Sequence, residues 1–64
     1  MTGNELRAVY EATKPAIRAY LKAAGQYRAR EIGDAEFLAA RAERDKAMAA
    51  YDAAEAAFIA EGGA

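Results

Sequence analysis

Along the first half of the chain, apolar residues recur in steps that alternate four and three: Leu6, Val9/Tyr10, Thr13, Ala16/Ile17, Tyr20, Ala23/Ala24, Tyr27. That is the spacing of a helix presenting one face to another helix. From Phe37 onward a second seam repeats every seven residues, through Phe37, Arg44, Tyr51 and Phe58. Ala40, Ala47 and Ala54 lie between these, with Met48 on the flank. The pattern predicts an all-α chain and a single domain over 1–64: a helix over about 4–31, a turn at 32–34, a helix over about 35–60 and a frayed tail at 61–64.

Boundary residues support the two elements. Thr2-Gly3-Asn4-Glu5 fits the S/T-x-x-E capping box, in which the Thr hydroxyl and the Glu carboxylate each satisfy a backbone N–H at the helix start. Near the midpoint, Gly33 reads as a stop, because glycine takes the left-handed conformation that ends helices without a Cβ penalty. Asp34 reads as the following start, its carboxylate accepting from unpaired N–H groups at a positive helix end. Pro15 interrupts the first apolar run. It removes a donor and crowds the carbonyl of Glu11. Two outcomes compete: one helix kinked near Glu11–Lys14, or a short helix followed by a second that Thr13 caps. The apolar phase continues across the proline, which favours the kink.

A hairpin centred on Gly33 brings together residues whose numbers sum to about 66. Tyr20 then lies near Ala47, Tyr27 near Ala40 and Leu6 near Ala60, with large side chains facing small ones. Each helix is roughly 40 Å long at 1.5 Å per residue. Two helices leave part of each stripe wet, since Leu6, Ile17, Leu21, Phe37, Met48, Tyr51, Phe58 and Ile59 exceed what one partner helix covers.

Composition sharpens that point. Among 64 residues there is neither Cys nor His, so disulfides and the usual zinc, haem and iron–sulfur ligands are excluded. A chain this short ordinarily needs such a staple or a second chain. Twenty alanines and one proline suit helices. The expected assembly is therefore an antiparallel hairpin that dimerises into a four-helix bundle, or that packs on another protein. Its candidate interface comprises Leu6, Tyr10, Ile17, Tyr20, Tyr27, Phe37, Arg44, Met48, Tyr51 and Phe58. Arg44 and Glu55 fall on the apolar seam of the second helix. Such charges snorkel to the edge, or meet an opposite charge across the dimer and set its register.

Charge divides between the halves. Residues 1–32 carry six basic groups and three acids, residues 33–64 three basic groups and seven acids, consistent with a net charge of −1. Arg7, Lys14, Arg18 and Lys22 share a stripe of the first helix, a candidate anion-binding row. The direct expectation is internal pairing, Lys14 with Asp52 and Lys22 with Glu43. The alternative is a nucleic-acid-binding regulatory dimer, which would resemble in shape, though in no motif, a family of plasmid-encoded RNA-binding modulators. A further alternative is a small phage-type inhibitor that docks its acidic second helix on a basic partner.

Catalysis is not expected. Thr2 and Thr13 are the only aliphatic hydroxyls, and no glycine-rich phosphate loop is present. No metal or cofactor is implied. No apolar run approaches the roughly 18 residues of a membrane span, and the first residues lack the basic and apolar regions of a signal peptide. The expected setting is the cytoplasm, and the expected role is that of a small non-enzymatic interaction or oligomerisation module.

Overall fold

The computed structural model describes residues 1–62, so the end of the expected tail, 63–64, lies outside the described residues. The chain is a helical hairpin of α1 (Gly3–Arg28) and α2 (Asp34–Ala60), 47 Å long and 14 by 11 Å across between Cα atoms. Among the described residues no helix is long and apolar enough to cross a membrane.

Helix α1 opens on the capping box. Thr2 is extended, its hydroxyl accepts from the Glu5 N–H, and the Glu5 carboxylate accepts from the Thr2 N–H. The helix then passes through Pro15 without a break. Thr13 does not cap a second helix. Its hydroxyl donates to the Tyr10 carbonyl at 2.7 Å, which allows this polar residue to be buried at 4 % exposure.

The turn differs from its sequence-based expectation. Helix α1 ends at Arg28, three residues before the expected boundary, in a Schellman motif: Arg30 N–H donates to the Tyr27 carbonyl and Glu31 N–H to the Gln26 carbonyl. Arg30, not Gly33, takes the left-handed conformation, with φ 61°. Gly33 is extended (φ −92°, ψ 179°) and occupies the N-cap of α2 without a side-chain hydrogen bond. Asp34 is the first helical residue, and its carboxylate accepts from the Tyr27 hydroxyl at 2.5 Å. The difference has a physical cause. Two backbone hydrogen bonds offset the steric cost of a left-handed arginine, a residue that propensity alone would not place there.

The earlier stop moves the hairpin register. Tyr10 meets Tyr51, Tyr20 meets Arg44 and Tyr27 meets Phe37, pairs whose numbers sum to between 61 and 64. The pairings of Tyr20 with Ala47 and Tyr27 with Ala40 give way to large side chains on large ones. At the open end the terminal amino group lies 2.6 Å from the Glu61 carboxylate. The seams themselves follow the apolar pattern. Phe37, Ala40, Arg44, Ala47, Tyr51, Ala54 and Phe58 are the covered positions of α2, and α1 contributes Leu6, Val9, Thr13, Ala16, Ile17, Tyr20, Ala23 and Ala24. Only Thr13, Ala23 and Ala54 are fully buried among the described residues, and none of these is large.

The turn generates two expectations for thermal melts. Arg30→Gly relieves the left-handed strain and should stabilise by about 1 kcal/mol, raising Tm by roughly 4–8 °C for a two-state domain of this size. Gly33→Ser should not lower Tm, because nothing stands within 4 Å of an added Cβ and the extended backbone accepts any residue. A drop of several degrees in Gly33→Ser would return the left-handed role to Gly33.

Candidate functional site

The seam carries two aromatic clusters, one at each end. Near the turn, the Tyr27 ring stacks on Phe37 with centroids 4.7 Å apart, and Tyr20 tilts against the same Phe37 at 5.8 Å. The Arg44 guanidinium lies 4.1 Å from the centre of the Tyr20 ring and donates to Asp45 through Nε and Nη2, at 3.1 and 2.7 Å. Nearer the open end, Tyr10 and Tyr51 meet edge to face at 5.5 Å, and the Tyr51 hydroxyl donates to Glu55 at 2.8 Å. Arg44 and Glu55 are therefore both engaged within one hairpin, but only Arg44 lies on the seam; Glu55, expected there, is exposed one residue after the buried Ala54. Arg44 sits on an aromatic face inside its own chain, where the quadrupole of the ring attracts it.

Cross-hairpin ion pairing does not form as expected. Lys14 pairs with Glu11 on its own helix at 3.1 Å and lies over the Tyr10 ring, rather than reaching Asp52. Lys22 has no ion pair with Glu43. Among the described residues the side-chain ion pairs stay within one helix. The register explains this: facing numbers sum to less than the expected 66, and the basic stripe of α1 turns away from α2.

Of the candidate interface residues, Leu6, Ile17, Tyr20, Phe37, Arg44, Tyr51 and Phe58 are half-buried between the helices. Tyr10, Tyr27 and Met48 are exposed. So are Leu21 and Ile59, at 62 % and 65 %, and Leu38, which the apolar pattern did not single out.

A simple rule organises these residues. The residue after a seam position is repeatedly large and apolar: Tyr10 after Val9, Ile17 after Ala16, Leu21 after Tyr20, Met48 after Ala47, Ile59 after Phe58. The residue before is small or charged: Ala8, Ala12, Ala19, Glu36, Ala39, Glu43, Ala50, Ala53, Ala57. One residue is a rotation of about 100° about the helix axis. Antiparallel helices, viewed from one end, wind in opposite senses, so the same step carries both sets to one side of the hairpin. One broad face thus bears Tyr10, Leu21, Met48 and Ile59, edged by the half-buried Ile17, and the opposite, alanine-rich face also carries charged residues such as Glu36 and Glu43 but no large apolar side chain. That signal was present in the sequence but is visible only once the two seams are known.

Charges on the apolar face are segregated by helix. Arg7 and Lys14 follow seam residues Leu6 and Thr13 on α1, whereas Asp45, Asp52 and Glu55 follow Arg44, Tyr51 and Ala54 on α2. Arg41 is the exception on α2. Among the described residues the hairpin surface has no cavity and no cluster of three or more metal-type ligands. Comparison with protein-family models, with curated proteins and with solved structures gave no match.

Hydrogen bonding leaves a titration signature. The Tyr27 phenol is held above its ordinary value of 10.0 mainly by donating to Asp34, and the Tyr51 phenol likewise by donating to Glu55, with partial burial adding to it. A raised phenol pKa means these contacts stabilise the fold fully below pH 10 and are lost as pH rises through the raised values. Phenolate absorbance should show Tyr27 and Tyr51 ionising late. Asp34→Asn should remove the lag of one, and denaturant the lag of both. Uniform titration near 10 in the native protein would count against the two bonds.

Proposed function

We propose that this chain is a non-enzymatic helical interaction module that acts by assembling with a second copy into a four-helix bundle. One observation carries the reading. The hairpin leaves Tyr10, Leu21, Met48 and Ile59 exposed on one face, while no large side chain among the described residues is fully buried. Apolar surface held against water at that density costs about 25 cal/mol per Å², and a contiguous patch of this kind marks an association site. A second copy is the most direct occupant, because its face is the same in size and chemistry.

The test is mass in solution. Sedimentation equilibrium should give about twice 6.8 kDa. Leu21→Asp with Met48→Asp should raise the dissociation constant at least on the order of a hundred-fold, because each lost apolar burial occurs twice in a two-fold dimer. Ala57→Lys, on the alanine face, should leave the mass unchanged. A native protein that stays monomeric at every concentration, with full helix content, would sink the reading.

A second reading rests on the basic stripe. Arg7, Arg18 and Lys22 form no ion pair with α2, and Lys14 pairs only within α1, so the row remains available to a phosphate backbone. The net charge of −1 weighs against it, since affinity for nucleic acid comes mainly from neutralised phosphates. A salt-dependent gel shift that disappears when Lys14, Arg18 and Lys22 are changed to Glu would favour this second reading.

A further inference from the structure

Two hairpins can stack face to face about a two-fold axis in two ways. With the axis along the helices, each α1 covers α2 of the second copy, and both turns lie at the same end. With the axis across the helices, α1 covers α1, α2 covers α2, and the turns lie at opposite ends. We infer that the hairpin pairs with a second copy in the first way, turns together, with each α1 packed on the other copy's α2. This inference rests on the dimer proposed above.

Charge on the apolar face selects the orientation. Arg7 and Lys14 stand beside Tyr10 on α1; Asp45, Asp52 and Glu55 stand beside Met48 on α2. The turns-together arrangement keeps each level of the hairpin opposite the same level of the copy, so facing residue numbers again sum to 61–64. Arg7 then faces Glu55 of the second copy, and Lys14 lies between its Asp45 and Asp52. Arg41 falls opposite Leu21 and opposes no basic group. The turns-apart arrangement lays the rim of α1 that carries Arg7 and Lys14 along the same basic rim of the second α1, and the net-acidic rim of α2 along its own copy, where facing numbers sum to about 94 and only Asp52, opposite Arg41, meets an opposite charge. Like charges placed across an interface suppress that arrangement.

The intrachain contacts are compatible with this role. Lys14 and Asp45 hold partners on their own helices, at 3.1 and 2.7 Å. Arg7 and Asp52 form no ion pair among the described residues, so each can take an opposite charge from a surface laid over this face. The size also fits. A face 47 Å long and 14 Å wide between Cα atoms, before side chains are added, is of the order of the roughly 800 Å² that each partner gives a stable interface.

The absence of cysteine allows a direct test. Glu31→Cys places a single nitroxide label in the exposed turn, outside both helices. In the turns-together dimer, pulsed spin-resonance distances between copies should fall within about 20 Å, two helix spacings. In the turns-apart dimer they should approach the 47 Å hairpin length. Ala60→Cys, at the open end, gives an independent reading of the same kind. Short distances from both variants support the inference. A dimeric mass with distances near the hairpin length overturns the orientation and leaves the dimer standing. A monomeric mass with no intercopy distance overturns both.

Discussion

Two helices meet along a single line, and the rest of this structure follows from how little that line can bury. A residue in the middle of a bundle is covered from several directions; a residue in a hairpin is covered from one. Alanine and threonine fit wholly beneath the line of contact, as Ala23, Ala54 and Thr13 do. Anything larger protrudes from it. Tyr20, Phe37, Tyr51 and Phe58 are accordingly half-covered, and their neighbours one position on are barely covered at all. The polypeptide adapts to this constraint by using side chains whose exposed ends tolerate water.

The choice of aromatic and charged groups along the seam makes sense in those terms. A tyrosine can lay its ring in the contact and keep its hydroxyl at the edge. Tyr27 and Tyr51 do this, and each hydroxyl finds a carboxylate. Arg44 applies the same division to a cation: its planar group covers Tyr20, while its N–H groups reach Asp45. The hydrogen bond from Tyr27 to Asp34 also crosses the connection between the helices, so the last turn of α1 is tied to the first turn of α2. The seam thereby contributes to the turn's geometry as well as to the packing.

Periodicity made the two helices legible in the sequence, along with the covered face of each, because those depend on residue spacing and little else. Thr2 and Glu5 announced the first helix start for a similarly local reason. The turn was less legible. A left-handed glycine and a left-handed arginine differ by only about 1–2 kcal/mol, and the backbone bonds to Gln26 and Tyr27 that settle the matter for Arg30 leave no residue-type signature. Since register depends on where the first helix ends, a shift of three residues there altered every predicted cross-hairpin pair. Large against small became ring against ring, and the anticipated partners of Lys14 and Lys22 moved out of reach. The exposed face was legible in part. Leu21, Met48 and Ile59 were in excess of what one partner helix covers, and they are exposed; Leu38 looks like an ordinary member of an apolar helix until its place beside Phe37 is set against the seam.

Segregation of charge between the two halves is the feature that the single hairpin leaves without an internal use. If opposite charge on α1 and α2 served mainly to close the hairpin, ion pairs would bridge the seam, and among the described side chains they do not. The reason is geometric. Charges placed one residue after the seam lie on the rims of the same face, pointing out of the layer rather than across it. At that position they act weakly on each other, being separated by a row of rings and alanines and screened by water. They act most strongly on whatever is laid over the apolar surface between them, because covering that surface removes the screening water. A hairpin that is basic along one rim and acidic along the other leaves that asymmetry unpaired across its own seam, and the second copy proposed above, turned about the long axis, would be the simplest surface to read it.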